Sequence, residues 1–85
     1  MFKIVWSNIA YKQLSKFPRI LSKKIYSSIE DIAKDPLKGD IKKIQGTSLY
    51  RMRIGDYRVI FELDKSNSLI NILKIGHRKN IYKNI

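Results

Sequence analysis

The 85 residues predict an α+β domain of order β-α-α-β-β-β, a two-helix hairpin packed on one face of a mostly antiparallel four-stranded sheet. Three observations predict it. Residues 49–54 (LYRMRI) and 57–63 (YRVIFEL) alternate in polarity on either side of Gly55-Asp56, which is the period and the two-residue loop of a β-hairpin. Between residues 8 and 34 the apolar positions recur at three and four, the helical period. Residues 69–75 (LINILKI) are apolar enough for a central strand. Helices and strands that do not interleave give two layers, with the helices gathered on one side of the sheet.

Met1 to Trp6 reads as the first strand, with Phe2, Ile4 and Trp6 on one face. Ser7 is an N-cap type, and a helix follows from about Asn8 to Lys16, with Ile9, Ala10, Leu14 and Phe17 as its apolar positions. Pro18 ends that helix and opens the next, which runs to Lys34 with Leu21, Ile25, Ile29, Ile32 and Ala33 in one stripe. Asp35-Pro36 and Gly39 break the pattern, and residues 40–48 (DIKKIQGTS) form a basic connector turning at Gly46. In the hairpin, Gly leading a two-residue loop predicts a type II′ turn. That register sets Ile54 opposite Tyr57, Arg53 opposite Arg58 and Arg51 opposite Ile60. Tyr50, Met52, Ile54, Tyr57, Val59, Phe61 and Leu63 then share a core face, and Leu49, Arg51, Arg53, Arg58, Ile60 and Glu62 share the other. A polar loop at Lys65–Ser68 leads to the last strand, Leu69 to Ile75. Gly76 ends that strand, and residues 77–82 form a polar tail. One domain, 1–85, is expected.

Lys and Arg number 18 against 7 Asp and Glu, a formal charge of +11, which calls for a polyanionic partner. There is no cysteine, so neither a disulfide framework nor a thiolate metal site is expected. Nor is there a carboxylate pair, a metal-ligand cluster or a glycine-rich phosphate loop, so no metal and no small-molecule cofactor is expected. No apolar run approaches the ~20 residues of a membrane span. MFKIVW is too short and too soon polar for a signal peptide. The expectation is a cytoplasmic protein without a membrane partner. Of five arginines, four (Arg51, Arg53, Arg58, Arg78) fall between residues 49 and 82. Like charges directly opposed on a sheet destabilise it, so the Arg53–Arg58 pair points to a bound anion. A planar guanidinium fork suits phosphate.

YRMRIGDYRVIFEL followed by LKIGHRKNIY resembles the RelE/ParE toxin superfamily, most closely its RelE branch, over essentially the whole chain. The resemblance implies the toxin of a type II toxin–antitoxin system: a metal-independent endoribonuclease that cleaves mRNA in the ribosomal A site and so inhibits translation. Its partners would be a cognate antitoxin, the ribosome and mRNA. By position, Arg51 and Arg53 match the two basic residues of the family's second strand, where the best-known members have lysines. Arg58 matches the arginine of the third strand, Arg78 the arginine after the last strand, and Tyr82 the C-terminal tyrosine at a shorter spacing.

Such cleavage needs a base for the 2′-OH, cations for the five-coordinate phosphorus and an acid for the leaving 5′ oxygen. The arginines suit the second task and cannot serve as base, since a guanidinium in a protein stays protonated. His77, with an ordinary pKa of about 6.5, and Tyr82 are the candidate proton carriers. Tyr82 could equally stack on an unstacked base. A histidine at a strand end is more often structural. Lys42, Lys43 and Lys79 are candidate RNA contacts, while Lys12, Lys16, Lys23, Lys24 and Lys34 more often form a solvated face. The alternatives are a ParE-like toxin that inhibits gyrase by binding, and a non-catalytic nucleic-acid-binding relative.

Overall fold

A computed structural model describes residues 1–36 and 38–81. Its elements are β1 (Lys3–Trp6), α1 (Asn8–Lys16), α2 (Arg19–Lys34), β2 (Ile41–Lys43), β3 (Leu49–Ile54), β4 (Tyr57–Asp64) and β5 (Leu69–His77). The described strands form one sheet of five in the order β1-β5-β4-β3-β2, antiparallel except where β1 lies beside β5. The class is the expected one; the strand count is corrected from four to five. The additional strand is β2, inside the basic connector. Three residues are too few to show alternation, and pairing with β3 holds them in place (Ile41 with Met52, Lys43 with Tyr50).

Both helices cover one face of the sheet. The α2 stripe of Ile25, Ile29, Ile32 and Ala33 is buried against Met52, Ile54, Val59, Phe61, Ile70, Ile72 and Ile75. Burying such side chains stabilises by roughly 1.5–3 kcal/mol each. In α1 only Ala10 is fully buried, with Leu14 and Phe17 packed at the margin. Ile9 does not join them and is 62% exposed, because it stands on the helix beside the face that Ala10 and Leu14, four apart, turn to the sheet. Trp6 reaches α2 by stacking on Tyr26, with ring centroids 6.2 Å apart.

The hairpin register is as expected, with Ile54 opposite Tyr57 and Arg53 opposite Arg58. Gly55 has φ +59 and Asp56 keeps a negative φ, which selects type II′ over type I′. β5 departs from simple alternation. Ile60 pairs with Lys74 and Phe61 with Ile72, so Leu73 is an extra residue, a β-bulge. The bulge lets Ile72 and Ile75, three apart, both reach the core, and it turns Lys74 to the opposite face.

Beyond Trp6 the edge of β5 has no strand beside it among the described residues, and α1 supplies partners there. Ser7 Oγ donates to the Leu73 carbonyl (2.8 Å), and Gln13 Oε1 accepts from the Ile75 N–H (2.6 Å). Ser7 Oγ also accepts from the Ala10 N–H (3.0 Å), capping α1 as its residue type predicts. One hydroxyl thus ties the start of α1 to the strand that leads into the C-terminal turn.

Candidate functional site

Paired residues on neighbouring strands share a face. On the face turned away from the helices, the register makes two rows across the sheet. One reads Lys42, Arg51, Ile60, Lys74; the other reads Asp40, Arg53, Arg58, Gly76. Asp40 enters the second row one step before β2, where its carbonyl accepts from the Arg53 N–H (3.0 Å). With neighbouring strands about 4.8 Å apart, each row spans roughly 14 Å.

The like-charged pair Arg53–Arg58 is relieved from both sides. Arg53 Nε donates to Asp40 Oδ2 (2.5 Å), so its guanidinium lies toward the sheet edge. Arg58 folds back on the hairpin turn and donates through Nη1 to the carbonyls of Gly55 (2.9 Å) and Tyr57 (3.0 Å). The repulsion that pointed to a bound anion is thus also offset within the fold, by a carboxylate for one arginine and neutral carbonyls for the other.

The C-terminal turn completes the site. The Arg78 N–H donates to the Asp56 carbonyl (2.8 Å), with Arg78 Nε 3.9 Å from Asp56 Oδ1. Asn80 and Ile81 both donate to the His77 carbonyl. Ile81 is buried, and its Cδ1 lies 3.2 Å from where a Cβ on Gly76 would stand. Gly76 thus lets the turn close onto the sheet. The face carries apolar side chains as well, since Ile60 and Ile81 are both buried on it. Around them Arg51, Arg58, Arg78 and Lys79 line one shallow depression. Among the described residues, no hydrogen bond or ion pair holds the Arg51 guanidinium.

The structure thus brings Arg51, Arg58, Arg78 and Lys79 together, with Lys42 flanking Arg51 across the edge. It does not bring His77 to them. His77 pairs with Tyr57 and shares its helix-side face, its ring edge-on to Tyr57 at 5.6 Å and its Nδ1 accepting from the Lys79 N–H (3.2 Å). Lys43, paired with Tyr50, also falls on the helix side. Tyr82 lies outside the described residues. Sequence reasoning missed Lys74 and Asp40. Simple alternation assigns Lys74 to the face of Ile70 and Ile72, and a lysine in that apolar series was the available sign of a bulge. Asp40 had no visible role until β2 set it beside Arg53. Asp56, read as a turn residue only, also braces Arg78.

Residues 3–82 match the profile of a family described as the ParE toxin of type II toxin–antitoxin system, parDE. The chain belongs to the RelE/ParE family of toxin–antitoxin toxins. Within the family, it is 33% identical over 85 residues to toxin RelE3 of Methanocaldococcus jannaschii, covering 94% of each chain. It also superposes on the archaeal RelE–RelB complex from Pyrococcus horikoshii with TM-score 0.80 and 28% identity, covering 93% of this chain and 97% of that one. The RelB–RelE antitoxin–toxin complex from Methanococcus jannaschii gives TM-score 0.74 and 33% identity, covering 92% and 94%. Among the described residues there is no cluster of metal-ligating side chains, and no helix is long and apolar enough to cross a membrane.

Proposed function

We propose that this RelE/ParE-family toxin is a metal-independent endoribonuclease that cuts mRNA in the ribosomal A site and is held inactive by a cognate antitoxin. The observation that carries the reading is the depression lined by Arg51, Arg58, Arg78 and Lys79 on the face away from the helices. In this reading Arg58 and Arg51 hold the scissile phosphate and a neighbour, and Arg78 stabilises charge on the five-coordinate phosphorus or the leaving oxygen. Arg53 adds a fourth guanidinium when its partner changes. Preorganised cations at such a site are worth several kcal/mol of barrier. Lys42 and Lys79 steer the flanking backbone. Tyr82, four positions after Arg78 in sequence, is the candidate for proton transfer or base stacking. His77 is assigned to holding the turn. The antitoxin reading is supported by the RelE–RelB complexes on which the chain superposes. An acidic antitoxin segment would cover the cationic face, and both partners would act in the cytoplasm, where mRNA is translated.

The test is inducible expression with mapping of cellular RNA 5′ ends, run beside Arg51→Ala/Arg58→Ala. New ends within translated codons, absent from the double variant, are expected. Arrest with intact mRNA and a DNA-damage response would identify a gyrase inhibitor instead. Binding without new ends would identify a non-catalytic relative.

A further inference from the structure

Four arginines were singled out for phosphate, and they differ in how their charge is met. Arg58 is held by neutral carbonyls, and no partner among the described residues holds the Arg51 guanidinium. Arg78 stands 3.9 Å from a carboxylate that is itself well exposed. Arg53 alone of the four makes a hydrogen-bonded ion pair among the described residues, with Asp40, and it alone does not line the depression. Yet the register sets Arg53 directly opposite Arg58, where the two forks could close on one phosphate from adjacent strands.

We propose that Asp40 is a built-in counter-ion that occupies Arg53 until a polynucleotide phosphate displaces it. The proposal rests on the reading of the arginine face as an RNA site and adds a competitor within the protein. Without a ligand, the two opposed guanidinium groups repel, and Asp40 draws one of them to the sheet edge. When a phosphate lies between Arg53 and Arg58 it offsets the same repulsion, and the carboxylate is released to water. The pair is largely exposed, at 55% and 39% for the Arg53 and Asp40 side chains, so the exchange is not obstructed by packing. One carboxylate thus stabilises the unliganded fold and weakens the affinity of the site. Removing it moves these two properties in opposite directions, a signature that loss of folding alone does not give.

The experiment uses the full chain and a fluorescent single-stranded RNA hexamer, 2′-O-methylated so that it cannot be cut, over a salt series. Asp40→Asn is expected to bind about two- to fivefold tighter at low salt, the range of one exposed ion pair. Its log–log salt slope is expected to steepen by about 0.7, one further phosphate contact. It melts lower than wild type without anions, and inorganic phosphate raises its melting temperature by more. Asp40→Glu, which keeps the charge on a longer arm, returns affinity toward wild type, and in an Arg53→Ala background Asp40→Asn changes nothing. Glu30→Gln removes the same charge from the end of α2 beside β1 and serves as control.

Unchanged or weaker binding by Asp40→Asn, an equal gain in Glu30→Gln, or a gain that survives Arg53→Ala each overturns the proposal. Arg51→Ala/Arg58→Ala separates the two levels. If that variant binds as wild type does, the reading of the face fails and the proposal with it. If it loses binding while Asp40→Asn is silent, only the counter-ion fails.

Discussion

Replacing Ser7 with alanine removes two hydrogen bonds with one atom. As N-cap of α1, Ser7 Oγ accepts from the Ala10 N–H, and loss of such a cap costs about 1 kcal/mol. As donor to the Leu73 carbonyl, it satisfies the bulged residue of β5, and leaving that acceptor unpaired costs about 1 kcal/mol more. The lower end of the range applies because the site is only half-buried and water can reach it. The sum, about 2 kcal/mol, lowers the melting temperature of a domain this size by roughly 10 °C. Thermal and urea unfolding followed by circular dichroism measures it. Ser7→Asp separates the two bonds, since a carboxylate caps the helix but cannot donate to Leu73. It should recover the cap and still lose about 1 kcal/mol. Ser7→Ala within about 0.5 kcal/mol of wild type, the usual range of featureless surface positions, would refute the reasoning. So would Ser7→Asp no more stable than Ser7→Ala.

Gly76→Val drives a branched side chain into Ile81 and should cost about 1–3 kcal/mol. It should also weaken RNA binding, because the displaced turn carries Arg78 and Lys79; anisotropy on the folded fraction checks this. His77→Gln should keep cleavage in a translating extract within tenfold of wild type. A group that takes the proton would lose about a hundredfold or more. Asp64 accepts from the side chain and the backbone N–H of Asn67, and these bonds hold its carboxyl below the usual 3.8. A depressed folded value means stabilisation that is full above 3.8 and lost as pH falls through the folded value. The melting-temperature gap between wild type and Asp64→Asn should therefore be constant near neutrality and close below 3.8.

The helix pair and the hairpin were legible because each carries its own period: α2 buries its spaced stripe, and alternation about Gly55 fixed Arg53 opposite Arg58. What could not be read depends on contacts distant in sequence. β2 is a strand only because β3 lies beside it. The parallel pairing of β1 with β5 leaves no mark in either segment. The single residue Leu73 reverses the facing of Lys74, and counting by twos carries past it unaware. In the candidate site, residue type located Arg51, Arg58, Arg78 and Lys79. The two-residue turn placed Arg53 opposite Arg58 but not its deflection onto Asp40. The face assigned to His77 followed from its partner Tyr57, which composition cannot supply.

Lys3 lies beside Leu69 and Trp6 beside Ile72. β5, the last of the described strands, is thus inserted between β1 and the hairpin, and the sheet cannot close in the order in which it is synthesised. A nascent chain that has not reached Leu69 holds two helices and a three-stranded meander with no central strand to join them. Such a chain should unfold without a cooperative transition when made as a fragment and heated. The ordering delays assembly of the arginine depression until β5 and the turn carrying Arg78 and Lys79 have been made.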